Sequence, residues 1–381
     1  MAMNHPISRD RRRTRRLGRL SVAFVAVGAI AVLSACGSSN GSSPSAGGAA
    51  PPMMPTSLSA ANASWAQVVS RAKAEKTLVF YGLGSDLSDP LVKGFQKAYP
   101  WAQVKVVNGS PGDNLSRLET EAKTGAPTAD VFLLPQSLRK SLLDNKIVQQ
   151  TTVPSDFTMT ASFQDSSHYA HPVYVSPIVL DYNTNKISAS QMPKTLYDLA
   201  DPKYKGMITF DSPQNVALAA HLLVAPEQAW GMTKWEKWLD GLKANDVLIS
   251  ADATSAYQAA LQGNAAIAVD TPSDVLNQKS GTPMAYALYK DAVPFAQFAW
   301  LDARAPHVDM GRLFLDWMMS KQGQAVYAAT GRSPALSSVK SSMSLSKLVP
   351  AQYGIAPVSV FKDFYANPQP FIDQMTQRWP Q

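Results

Sequence analysis

The sequence predicts an α/β fold of two lobes, built on doubly wound sheets and joined by crossing hinge strands. Three observations predict it. Short apolar runs of strand character alternate with segments of helical period, the pattern of a mostly parallel sheet covered by helices. From Ala61 onward roughly 320 residues remain, more than one core of ordinary size holds. The chain leaves the first group of strands near residue 175 and returns near residue 290, which makes a hinge between two units.

The elements follow in order. ASWAQVVSRAKAEK is helical, and residues 77–81 form an apolar strand ended by Gly82. Leu91, Val92 and Phe95 recur at helical spacing, and Pro100 stops that helix. Residues 104–107 alternate as a strand, Asp113 or Asn114 caps the helix LSRLETEAKTG, and 130–134 is a third buried strand. The second unit opens at 173–183. It continues with a helix around 197–199, a strand at 207–210, an apolar helix at 215–223, a helix carrying Trp235 and Trp238, and a strand at 265–269. Residues 284–289 and 294–300 are strand-like, and 308–320 is strongly helical. Helical spacing assigns Trp230, Trp235 and Trp238 to packing before ligand stacking.

The N-terminus is of a different kind. Seven arginines and one aspartate fill the first twenty residues, and the apolar SVAFVAVGAIAVLSA follows, the layout of an export signal. Fifteen residues are short for a membrane-spanning helix, which needs about 20. Leu33-Ser34-Ala35-Cys36 resembles the bacterial lipoprotein lipobox, which implies that Cys36, the single cysteine, becomes an acylated first residue and anchors the chain to the outer face of the cell membrane. Thr14-Arg15-Arg16-Leu17 resembles a twin-arginine signal except at Gly18, so the export route stays open. Without this segment 28 Lys+Arg face 27 Asp+Glu, so the charge of +7 belongs to the signal and gives no support to nucleic-acid binding. The expected organisation is a signal at 1–36, a Gly/Ser/Pro/Ala tether at 37–60, lobe 1 at 61–175 with 290–330, and lobe 2 at 176–289 with 331–381.

Six segments in order, LVFYG, TADVFLLP, SPIVLDYN, LYDLADPKYKGMITFDSP, LQGNAAIAVD and FLDWMMSKQGQAVYAATGRSPAL, resemble the extracellular solute-binding proteins of ABC importers, in the group that takes ferric iron, thiamine, polyamines and aminophosphonates. The resemblance implies a periplasmic-binding type II fold, a solute held between the lobes, a permease and ATPase as partners, a monomer and no cofactor. Two other readings remain open, a ligand-sensing subunit of a membrane signalling protein and an exported hydrolase. No nucleophile motif supports the hydrolase: G-x-S-x-G occurs by letter at 37–41, with no strand before it.

Ligands of α/β sheets bind beyond the carboxyl ends of strands, which nominates the loops there. Gly84, Ser85 and Asp86 follow the first strand, where amides and a hydroxyl suit an anionic or polar group, or make an ordinary turn. Ser110, Gly112 and Asp113 occupy the next loop, as ligand groups or as a helix cap. Ser212 and Asn215, and then Asp270, Thr271 and Ser273, follow strands of the second unit, while Ser176 and Tyr182 lie in the crossing segment. Asp86, Asp211 and Asp270 suit an ammonium or thiazolium group, and the Ser, Thr and Gly content suits a phosphate or phosphonate. The resemblance also implies where ferric ligands would lie. The place that adjacent tyrosines take in ferric binders reads Asp270-Thr271-Pro272-Ser273, which argues against a tyrosinate iron site. His168 and His171 are the one close histidine pair, and no zinc motif occurs.

Overall fold

The computed structural model describes residues 58–151 and 163–380. The signal segment, Cys36 and nearly all of the expected tether lie outside them. Helix α1 (Leu58–Glu75) begins within the last residues assigned to the tether, where Leu and Ala favour helix.

Strand β1 (Thr77–Gly82) is followed by α2 (Ser85–Ala98), β2 (Gln103–Asn108), α3 (Pro111–Thr124), β3 (Val131–Pro135) and α4 (Arg139–Asp144). Because β1 pairs in parallel with both β2 and β3, the loops after β1 and β2 open on one edge. Strand β4 (Ala170–Pro177) then passes through Ile178 into β5 (Val179–Asn183), which belongs to a second sheet. That sheet is completed by β6 (Ile208–Asp211), β7 (Leu248–Ser250), β8 (Ile267–Asp270) and β9 (Met284–Ala287), in the order β7-β6-β8-β5-β9. Between its strands lie α5 (Leu218–Trp230), α6 (Met232–Ala244), α7 (Ala253–Leu261) and α8 (Ser273–Asn277). The chain returns as β10 (Pro294–Leu301), runs through α9 (Val308–Met319) and α10 (Lys321–Ala329), and adds β11 (Ser333–Pro334) to the first sheet, ordered β11-β4-β10-β3-β1-β2. Three short helices, α11 (Leu345–Leu348), α12 (Lys362–Ala366) and α13 (Gln369–Arg378), close the C-terminal stretch.

The fold is therefore the two-lobed α/β pair with crossing strands. Its sheets are less parallel than the alternation of strands and helices implies. Strand β10 runs antiparallel to β3 and β4, and β5 antiparallel to β8 and β9. The crossing itself is the cause, since a strand that leaves a lobe and one that returns run in opposite senses. At the hinge the Ile178 N–H donates to the Val293 carbonyl at 2.8 Å, tying the two passages together.

One cluster of buried apolar side chains runs through this hinge, from Phe132 and Leu134 by way of Val175 and Ile178 to Leu180 and Phe210. A second core in the first lobe packs Phe95 edge-on against Phe314 and Trp317, with ring centroids 4.9 and 5.7 Å apart. In the second lobe Trp235 and Trp238 are buried and donate their indole N–H groups to the carbonyls of Leu223 and Leu196, at 2.7 and 2.8 Å. Both are packing residues. The apolar helix expected from residue 215 starts later, at Leu218. A 3₁₀ turn at Pro213–Asn215 and a left-handed Val216 (φ 47°) intervene. That conformation is unusual for a β-branched residue and places the strain beside the β6 loop.

Candidate functional site

The loops after β1, β2, β6 and β8 meet where the lobes face each other. A Cβ added at Gly112 would stand 3.3 Å from Asn215 Oδ1, so a first-lobe loop and a second-lobe loop are already in near contact. At the opposite corner the Asn277 amide donates to the Thr330 carbonyl at 2.9 Å, seating α8 against the segment that returns to the first sheet.

The first-lobe loops are held rigidly. Gly82 has no room for a side chain, because a Cβ there would lie 2.0 Å from Ser88 Oγ and 2.6 Å from Asn108 Oδ1. Ser88 donates to Asn108 Oδ1 (2.8 Å), and Asn114 donates to the Gly82 carbonyl (2.8 Å), binding the ends of β1 and β2 together. Gly84 is the extended residue before α2, and Ser85 is exposed on its first turn. Asp86 accepts from Arg332 Nη2 at 2.7 Å. Ser110 and Asp113 are engaged with each other as a capping box: Ser110 Oγ donates to Asp113 Oδ2 (2.8 Å) and the Asp113 N–H donates to Ser110 Oγ (3.2 Å). The cap is Ser110, one turn earlier than Asp113 or Asn114, and α3 accordingly starts at Pro111.

On the second-lobe side Ser212 Oγ donates to Gln214 Oε1 (2.6 Å), and Asn215 donates to the Ala251 carbonyl (2.9 Å). Thr271 and Ser273 hydroxyls are 3.0 Å apart, and Asp270 Oδ1 accepts from the Thr271 N–H at 2.7 Å. Ser176 is buried on β4 and its hydroxyl has no hydrogen-bond partner. Tyr182 is not brought to these groups: it packs with Leu180 into the main core. Asp211 is buried and accepts from the Ala219 N–H at 2.8 Å, so it serves the start of α5. Burial pushes its carboxyl up to about 7, with Asp252 adding to the rise.

Sequence reasoning missed the charged residues that frame this site. Arg332, within GRSPAL, is 9% exposed; it lies 5.6 Å over the Tyr174 ring, donates to the Thr330 carbonyl at 3.0 Å, and holds Asp86. Asp181 sits in the middle of β5. Strand register places Asp181 opposite Ala268 and Val179 opposite Asp270, so Asp181 and Asp270 are diagonal neighbours on the face that α7 covers. Asp274, on the first turn of α8, comes within hydrogen-bonding reach of Asp270. Burial, then the neighbouring Asp274, pushes the Asp181 carboxyl well above the usual range; Asp270 is pushed up by burial, then by Asp274 and Asp181. The signal available in the sequence was a carboxylate inside an otherwise apolar strand.

Among the described residues no group of three or more His, Cys, Asp or Glu is arranged to hold a metal ion. The histidines do not converge: His171 and His221 are buried and held near 4 by burial, and His307 Nδ1 meets Asp130 Oδ2 at 3.1 Å.

The family model described as "Bacterial extracellular solute-binding protein" matches residues 126–352. A probable ABC transporter periplasmic-binding protein of Sinorhizobium fredii is 26% identical over 254 residues, spanning 61% of this chain and 67% of that protein. The Fe(3+)-binding periplasmic protein of Serratia marcescens is 25% identical over 285 residues, spanning 71% and 82%. The structure of the periplasmic binding protein AfuA from Actinobacillus pleuropneumoniae, with exogenous fructose-6-phosphate bound, superposes with a TM-score of 0.70 at 19% identity, covering 80% of this chain and 98% of that one. At that identity the likeness is one of fold.

Proposed function

Because the chain belongs to the family of bacterial extracellular solute-binding proteins, which deliver small ligands to ABC importers and are not enzymes, we propose that its solute is a small polar organic molecule of the polyamine, thiamine or aminophosphonate kind, held between the lobes. The observation that carries this reading is the convergence of polar loops from both lobes on one place, with Gly112 against Asn215 on one side and Asp86 and Arg332 beside α8 on the other. The ligand residues on this reading are Gly84, Ser85, Asp86, Gly112, Asn215, Asp270, Thr271 and Ser273, with Ser176 at the hinge. Ser110 and Asp113 shape the loop that carries Gly112.

The strand memberships support lobes at 61–175 with 290–330 and at 176–289 with 331–381, apart from β11, which joins the first sheet. The chain acts as a monomer held at the extracytoplasmic face of the membrane by acylated Cys36, handing solute to a permease and ATPase. No helix among the described residues is long and apolar enough to cross a membrane.

Thermal-shift titration of the purified protein tests the proposal with putrescine, spermidine, thiamine, 2-aminoethylphosphonate, a hexose phosphate and ferric citrate. A cognate solute at 100 times Kd raises stability by about 2.7 kcal/mol. No shift with any of them, together with turnover of an ester or phosphoester probe, would reverse the reading. A visible tyrosinate-to-iron absorption band on adding ferric citrate would replace the organic solute with iron.

A further inference from the structure

We propose that Asp181, Asp270 and Asp274 form an acidic floor in the interlobe site that receives a primary ammonium group of the solute, an inference that rests on the solute-binding reading above. The three carboxylates come from three elements. Asp181 and Asp270 face the same way from adjacent antiparallel strands, and Asp274 reaches them from the first turn of α8. Asp181 is 0% exposed, yet neither of its carboxylate oxygens has a hydrogen-bond partner, whereas Asp270, 4% exposed, is within hydrogen-bonding reach of Asp274.

Buried polar atoms are nearly always paired, and a buried unpaired carboxylate is among the costliest groups a fold carries. Asp181, beside a second acid and with both oxygens unpaired, is therefore unexplained by packing. No basic side chain among the described residues forms an ion pair with any of the three. Arg332, the guanidinium on the Asp274 side, is already engaged by Asp86 and the Thr330 carbonyl.

The chemistry of the missing partner follows from what is unpaired. An ammonium offers N–H donors and no acceptor, which suits the two unpaired oxygens of Asp181 with Asp270 and Asp274 alongside. The residues do not form a metal-binding group. Tyr286, opposite Asp181 in register, and Tyr257, on α7 with its hydroxyl donating to Gln278 at 3.2 Å, stand beside the acids. Access is from the carboxyl end of β8, where Asp270 is the last strand residue and Asp274 remains partly exposed.

The test is calorimetric titration of the full-length protein, purified in detergent, with putrescine and 2-aminoethylphosphonate as amine probes and fructose-6-phosphate as a probe without basic nitrogen. Wild type is expected to bind an amine probe, and Asp181→Asn and Asp270→Asn each to weaken it by about 100-fold. Both variants, free of a buried unpaired charge, are expected to melt no lower than wild type in the absence of probe. Binding confined to fructose-6-phosphate, or amine binding unchanged in both variants, overturns the ammonium site and leaves the solute-binding reading standing. A melting temperature that falls sharply in both variants assigns the acids to the fold and also overturns it. Wild type that binds neither kind of probe overturns the ammonium site, while the solute-binding reading is decided separately by the thermal-shift panel above.

Discussion

Replacing Asp211 by asparagine separates the burial of a charge from the hydrogen bond that the same side chain makes. Asp211 closes β6 in the interior, its Oδ1 accepts from the Ala219 N–H at 2.8 Å, and burial lifts its carboxyl to about 7. In the unfolded chain an aspartate titrates near ~3.9. The folded value is the higher one, so the folded state holds the proton more tightly. The stability that this proton supplies is present in full below about pH 4 and is lost as pH rises through about 7. Three pH units at about 1.4 kcal/mol each give a span of about 4 kcal/mol. Asparagine keeps an acceptor for Ala219 and carries no charge. Urea unfolding should therefore find Asp211→Asn close to wild type near about pH 4.5 and more stable by up to about 4 kcal/mol near about pH 8. Subtracting wild type from variant removes the contribution of other raised acids such as Asp302 and Asp316, which both proteins share. A difference that stays constant across this range, or one that shifts toward wild type as pH rises, would refute the argument.

Three further outcomes are expected. Ser110→Ala removes the N-cap of α3 and should lower stability by about 1 kcal/mol in the same unfolding assay, with solute affinity little changed. Gly112→Leu pushes a side chain toward Asn215 and should hold the lobes apart, weakening solute binding by about 10-fold or more in calorimetry while the melting temperature without solute is unchanged. Cys36→Ala should move the protein from the membrane fraction to the medium with solute binding intact, and firm membrane association of that variant would remove the lipid anchor.

The order of strands and helices was legible because each element carries its own period, and the loops of the site were legible because they follow those strands. The strand register was not. Asp181 reads as one residue of an apolar crossing strand, and only its pairing with β8 shows that it shares a face with Asp270. Tyr182, one position later, faces the opposite way into the core for the same reason of period two. Asp274 and Arg332 are about 58 residues apart in sequence and were brought to one corner by the return of the chain through β10 and α9, which no local pattern encodes. Ser110 shows the opposite limit: its capping box was available in the letters S-P-G-D, but acidic N3 residues and ligand-facing loops share that composition.

The central claim, that the cleft traps a small organic solute, is tested most directly by native mass spectrometry of the protein purified from its own cells without denaturation. One solute per chain, carrying a basic nitrogen and released when the protein is unfolded, is the predicted result. A bare chain that gains no mass after incubation with a small-molecule extract of the growth medium, or a bound mass that proves to be iron, would contradict it.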